Sequence, residues 1–258
     1  MTADQPQYWQ ATRHPWACVL FVLPLLAIYE FGLHFTATKA DAMRNGADAW
    51  LRTALTHIGI EPTYGAPVLL ICVLLAWGLI RREGRPTDKV GVWAGMMGES
   101  AAYAVLLLGL SQAVWLMLIR ADVWLGQPNP RVLLQIAGEI DADGLDPMWG
   151  QLVGYLGAGI YEETLFRLLT YGGLLRLFSW NESKVSLWVI LLSAFASALL
   201  FAGAHHIGPN GDAFSLYVLT FRMFAGIYFA ALYHLRGFGI AVGAHAGYDV
   251  LVGLILVP

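Results

Sequence analysis

Long apolar runs limit what this chain can fold into. Seven stretches are mostly apolar: Pro15 to Phe35, Tyr64 to Ile80, Val92 to Ile119, Gln151 to Arg176, Val185 to Ile207, Phe214 to Leu235 and Phe238 to Val257. A bilayer core takes about 20 such residues per helix. The expected fold is therefore all-α, a polytopic transmembrane helical bundle of about seven spans. Composition agrees, with 58% hydrophobic and only 13% charged residues, where soluble domains carry about a quarter charged. No Ser/Pro-rich or charge-rich linker divides the 258 residues, so 1–258 reads as a single integral membrane domain.

The net charge of −3 offers no basic footprint for nucleic acid. Cys18 and Cys72 both lie in apolar runs and read as small hydrophobes rather than a disulfide or metal pair. The first apolar run has no A-x-A-like cleavage site and contains Glu30, so it is expected to stay as an anchor rather than leave as a signal peptide. Arg81, Arg82, Arg85 and Lys89 crowd the loop after the second run, whereas Asp122 to Asp146 is mostly acidic, with Glu139, Asp141, Asp143 and Asp146. The positive-inside rule then puts the first loop and the N-terminus in the cytoplasm and the C-terminus on the opposite side. Arg176 with Lys184, and Arg236, fall in loops that this scheme also places inside. The expected location is the cell membrane of a prokaryote.

Between the first two runs, Ala47, Trp50, Leu51, Ala54, Leu55 and Ile58 recur at helical spacing, with Arg44, Asp48 and Arg52 among them. That pattern suits an amphipathic helix in the membrane interface. "DADGLD", from Asp141 to Asp146, fails the EF-hand spacing and reads as a solvated acidic turn. The sequence shows no internal repeat.

An ionisable side chain at mid-membrane costs at least about 2.5 kcal/mol on insertion scales, so each needs a partner or a task. In "GIYEETLFRLL" (159–169), Glu163 and Arg167 are four apart with the acid first, the favourable order for a helical ion pair. Glu162 points about 100° away from Glu163 and lacks that partner. The triplet is either a helix-to-helix salt-bridge knot or a paired acid beside a free one fit for general acid or base work. Phe201 and His205 are four apart across Ala202, Gly203 and Ala204, and His245 and Asp249 are four apart in "GAHAGYDV". His206 reads as a hydrogen-bonded interfacial residue. Three such pairs, on the fourth, fifth and seventh runs, supply a carboxylate, two imidazoles and a second carboxylate to one bundle.

Glu162, Glu163 and Arg167 as Glu-Glu-x-x-x-Arg, Phe201 and His205 as Phe-x-x-x-His, and His245 and Asp249 as His-x-x-x-Asn/Asp resemble the CPBP family. These are the CAAX-processing and bacteriocin-processing intramembrane proteases, also called Abi proteins. The resemblance covers about 151–257 and rests on three short motifs in order. It implies scaffold helices over 1–148 and a catalytic core over 149–258. It also implies an endopeptidase acting on a membrane-embedded or membrane-anchored peptide near a C-terminal tail, anchor or leader. Carried over, Glu162 is the base and His205 its partner, His245 and Asp249 line the oxyanion side, and Glu163, Arg167 and Phe201 support the site. Asp249 stands where many members have Asn, and an ionised carboxylate cannot donate to an oxyanion. Either Asp249 is protonated, or it orients His245, which then donates alone.

No cofactor is expected. Glu162, His205, His245 and Asp249 could instead ligate zinc with an open water position. Against that, the sequence has no H-E-x-x-H, and using all four as ligands leaves no separate base. Two other readings use the same residues: a small transporter or proton relay, since buried Glu, His and Asp also mark such pathways, and a non-catalytic immunity or partner protein on the same fold. Arg222, in the sixth run, is either salt-bridged to Glu99 or Asp212 or is a clamp for a peptide carboxylate.

The run boundaries conflict with a common site. At about 1.5 Å per residue they put Glu162 roughly 21 Å above Arg176, His205 roughly 30 Å above Val185 and His245 roughly 10 Å above Phe238. Glycines at 172–173, 208, 237 and 239 mark where broken or tilted helices would reconcile these depths.

Overall fold

The computed structural model describes residues 8–35, 44–80, 88–121, 147–180, 184–207, 212 and 214–256. The helices are α1 (Tyr8–Ala11), α2 (Pro15–Phe35), α3 (Gly46–His57), α4 (Pro62–Ile80), α5 (Lys89–Ala121), α6 (Pro147–Glu162), α7 (Gly172–Phe178), α8 (Leu187–Ala204), α9 (Leu216–Arg236) and α10 (Phe238–Val250). A π-helical segment, Glu163–Tyr171, joins α6 to α7, and a second, Leu251–Leu256, continues α10. No strand occurs among the described residues. The architecture is an all-α membrane bundle. The arginines of the loop at 81–85 and the acidic stretch 122–146, on which the orientation and the reading of "DADGLD" rest, lie outside the described residues.

Five helical segments are long and apolar enough to cross a membrane: Pro15–Phe35, Pro62–Ile80, Lys89–Met117, Leu187–Ala204 and Leu216–Arg236. The other two expected runs differ from simple spans. The run 151–176 carries Glu162, Glu163 and Arg167 and changes helix type in its middle. The last run is an α-helix of 13 residues, ten of them buried in the protein. The first of these up to Tyr171, and α10, are largely buried among the longer helices, whereas no residue of α7 is buried. Thus α10 packs against α2, α5, α6 and α9. Its Ile240, Val242 and Ala246 join one core with α2 and α6, while its Ala241, Ala244 and Tyr248 join another with α5 and α9.

Local chemistry sets the ends that matter. Asn45 caps α3 by accepting from the Asp48 N–H at 2.8 Å, and Ser186 and Ser215 cap α8 and α9 in the same way, satisfying donors that a helix start leaves open. Gly237 has φ +94°, ends α9 by donating its N–H to Leu232 and Tyr233, and starts α10 at the next residue. Any Cβ there would meet the strained conformation and the Arg13 backbone at 3.0 Å.

Helix α3 forms where the periodicity puts it, but with a different face inward. Asp48 and Arg52 are buried with Ala47 and Leu55, while Trp50 and Ile58 are exposed. The reason is electrostatic. Asp48 receives the Tyr29 hydroxyl at 2.7 Å and the Arg44 and Arg52 guanidiniums at 3.0 and 2.6 Å. A buried charge is tolerable when it is paired and hydrogen-bonded in this way.

At another point in the bundle, Arg236 pairs with Glu99, which also accepts the Tyr8 hydroxyl at 2.8 Å. This lock holds α1 against α5 and α9, with the Arg236 guanidinium 3.6 Å from the Trp9 ring centre.

Candidate active site

Glu162 is the last α-helical residue before the π-helical segment, and that segment shapes the site. A π-turn shifts the hydrogen-bond register to i→i+5 and frees backbone groups, and such turns recur at functional sites. Here side chains take up carbonyls: Ser197 on α8 donates to the Phe166 carbonyl at 2.6 Å, and Thr170 donates to the Leu165 carbonyl at 2.8 Å. Ser197, Phe201 and His205 follow one another at intervals of four along α8, so a single face of α8 clasps the π segment and delivers His205.

Two close helix contacts bring the other elements in. A Cβ on Gly159 of α6 would lie 2.8 Å from the Ala246 backbone nitrogen and 2.9 Å from the Val242 carbonyl of α10. A Cβ on Gly226 of α9 would lie 2.8 Å from the Ala198 Cα of α8. Small residues at these crossings let backbones meet.

The result is one cluster. Glu162 Oε2 lies 3.7 Å from His205 Nε2 and 3.8 Å from His245 Nε2, and Asp249 Oδ2 lies 3.6 Å from the same His245 nitrogen. Glu162, His245 and Asp249 are buried, and His205, at the end of α8, is partly open. The conflict of depths seen in the sequence is removed by the fold. Helix α10 begins after a one-residue turn inside the bundle, so its first residue is no measure of the membrane edge.

Glu163 does more than pair with Arg167. The ion pair is present at 3.3 Å with both side chains fully buried, and the other oxygen, Oε1, lies 2.8 Å from His245 Nδ1. The Arg167 guanidinium lies 4.4 Å from the centre of the Phe201 ring and 5.3 Å from that of Phe229, a cation–π sandwich suited to a desolvated charge. The salt-bridge knot and the free acid therefore coexist. Glu163 and Arg167 form the knot together with His245, and Glu162 faces the two imidazoles. Phe201 sets its ring edge-on to His205 at 4.9 Å, while His205 Nδ1 sits 2.8 Å from the Phe201 carbonyl.

Sequence reasoning missed two contacts. Phe229 stacks on His245 at 4.5 Å and 15°, and the Glu163–His245 bond joins two motifs 82 residues apart. An aromatic among many in an apolar span gives no signal, and the bond depends on how α10 docks. Arg222 takes the salt-bridge alternative, with Asp212 as its partner. Asp212 is itself tied back by its N–H to the His205 carbonyl at 2.8 Å, and its own carbonyl lies 3.0 Å from His206 Nδ1. The Arg222 charge also acts on Glu162, His205 and Asp249.

The donor types suit zinc, and in this structure they stand slightly wider than its ligands do. Tetrahedral ligands about 2.05 Å from zinc sit about 3.3 Å from one another, whereas these atoms are 3.6 to 3.8 Å apart. Among the described residues, no group of three or more His, Cys, Asp or Glu is placed to hold a metal ion.

Residues 144–251 match the Rce1-like family model, described as type II CAAX prenyl endopeptidase Rce1-like. That part of the chain holds all three motifs and is similar to this family, in agreement with the resemblance read from Glu162 to Asp249. The match supports a CAAX-type intramembrane protease, an integral membrane enzyme acting on membrane-associated substrates. No curated protein and no solved structure matches the chain.

Proposed function

We propose that the chain is an intramembrane endopeptidase in which Glu162 activates a water against the carbonyl of a membrane-held peptide. The observation that carries this reading is the convergence on Glu162 Oε2 of two histidine nitrogens, at 3.7 and 3.8 Å. Those separations are too long for direct hydrogen bonds and put both imidazoles beside a water that Glu162 would hold.

In the proposed reaction Glu162 takes a proton from that water as its oxygen bonds to the peptide carbon. The carbonyl π electrons move to oxygen. With Glu163 accepting from His245 Nδ1, an Nε2–H is present only when His245 is doubly protonated. In that form it is the donor to the oxyanion. Asp249, beside the same nitrogen, holds the ring and its charge. Collapse of the tetrahedral intermediate breaks the C–N bond, and the proton on Glu162 passes to the leaving amine, with His205 steering it.

In this reading 1–148 is scaffold and 149–258 is the catalytic core of one membrane domain. The N-terminus is cytoplasmic, in the cell membrane of a prokaryote. In the same reading Arg222 exchanges Asp212 for a substrate carboxylate.

The test is cleavage in H₂¹⁸O. Purified protein in detergent is incubated with a pool of membrane-anchored peptides, including prenylated C-terminal tails and leader segments, and the products are read by mass spectrometry. The proposal expects two fragments from one internal bond, with a single ¹⁸O in the new carboxyl group. Intact peptides throughout, from a folded sample, would count against hydrolysis and favour the transporter or partner reading.

A further inference from the structure

A second buried polar network lies next to the site without touching the reacting groups. Arg52 on α3 uses all five of its N–H donors. Nε goes to Asp48 at 2.6 Å, Nη1 to the Pro62 and Thr63 carbonyls at 2.7 and 2.6 Å, and Nη2 to Glu30 at 2.8 Å and the Tyr161 hydroxyl at 3.4 Å. The Tyr161 hydroxyl in turn donates to Glu30 Oε1 at 2.6 Å. Four of these five acceptors belong to α2, α3 and the start of α4. The fifth, Tyr161, belongs to α6 and immediately precedes Glu162. Tyr161 is 1% exposed and its ring lies 5.5 Å from that of Tyr29, which is bonded to Asp48.

The place of this anchor in the chain is informative. Glu162 sits where the α register gives way to a π register, and a π-turn can be shared out differently along a helix. The helix alone therefore leaves the rotation of Glu162 loosely defined. Downstream, the Glu163–His245 bond and the Ser197 bond to the Phe166 carbonyl fix the π segment. Upstream, the polar group that fixes α6 nearest the junction is the Tyr161 hydroxyl.

We propose that Tyr161, held by Glu30 and Arg52, is a positioning residue that sets the rotation at which Glu162 faces His205 and His245. The inference rests on Glu162 being the base. Its effect on rate follows from geometry, since a displacement of about 1 Å in a reacting group costs on the order of a hundredfold.

The test compares Tyr161→Phe, Glu30→Gln, the double variant, Glu162→Gln and a control, Glu99→Gln, which breaks the Arg236 lock instead. Two readouts are taken well below each melting temperature. In ¹⁵N-histidine-labelled protein, Tyr161→Phe is expected to shift the ring nitrogens of His205 and His245, while Glu99→Gln leaves them in place. In turnover, Tyr161→Phe and Glu30→Gln lower kcat about 10- to 100-fold with KM within about twofold. The double variant falls no further than the worse single one, because both remove one linkage. Unmoved histidine resonances in Tyr161→Phe overturn the proposal whether or not a substrate is in hand. Wild-type kcat, or an equal loss in Glu99→Gln, overturns it as well. Full activity in Glu162→Gln would instead remove the base assignment, which separates the two failures.

Discussion

Replacing Gly159 by alanine tests the contact that brings α10, and with it His245, against the helix of Glu162. The added Cβ would stand 2.8 Å from the Ala246 nitrogen and Cβ and 2.9 Å from the Val242 carbonyl. Two of these three atoms are backbone, so no rotamer change relieves them. Reaching ordinary contact at about 3.5 Å requires the helices to part by about 0.7 Å. Overpacking of this kind costs typically 1–3 kcal/mol. Taking the upper figure and subtracting about 1 kcal/mol for the better helix propensity of alanine leaves a net loss of about 2 kcal/mol. For a chain of this size that corresponds to a fall of about 4–8 °C in Tm. Glu162 is three residues on and His245 is next to Ala246, so the same parting widens the 3.8 Å gap between them. A loss of kcat on the order of tenfold is expected. Scanning fluorimetry in detergent gives the first quantity and peptide cleavage the second. Gly173→Ala is the control, since a Cβ there meets nothing within 4 Å; it should keep full activity and an unchanged or higher Tm. A Gly159→Ala protein as stable and active as the wild type would refute the close approach of α6 and α10.

Further outcomes follow from the same geometry. Ser197→Ala removes the donor to the Phe166 carbonyl and leaves that oxygen buried without its side-chain partner, a loss of about 1–3 kcal/mol readable as a lower Tm; Ser197→Thr, which keeps the hydroxyl, should lose less. Asp249→Asn keeps a polar group beside His245 but removes a negative charge; if Asp249 serves to hold the charged His245, kcat falls at least about tenfold while KM stays near its original value. Arg222→Gln should raise KM for peptides with a free C-terminal carboxylate and leave amidated ones unchanged, and equal behaviour of the two substrates would remove the clamp.

Much of the fold was legible because apolar length is a strong signal. The apolar run from Pro15 to Phe35 coincides with α2, and α3 forms at the periodic stretch. What periodicity cannot report is which charges find partners. Asp48 and Arg52 turned inward because Tyr29, Glu30 and Tyr161 await them on other helices. Nor does a run of apolar letters separate a lipid-facing span from an interior helix such as α10, whose surroundings are equally apolar. In the site, pairs four residues apart were readable as pairs, and Glu163 with Arg167 stands as spacing implied. The convergence of Glu162, His205 and His245 depends on a π-turn and on helix docking. No residue pattern in 163–171 announces the wider turn, and the depths reckoned from run boundaries pointed the other way. Phe229 and the Glu163–His245 bond belong to tertiary contact alone.

The most direct test of the central claim is cleavage by wild-type protein and by Glu162→Gln, each with and without a chelator. The account predicts that the wild type cleaves and continues to cleave after chelation, and that Glu162→Gln, folded to the same Tm within a few degrees, loses at least about a thousandfold. Undiminished cleavage by Glu162→Gln would contradict the account, as would loss on chelation that zinc restores.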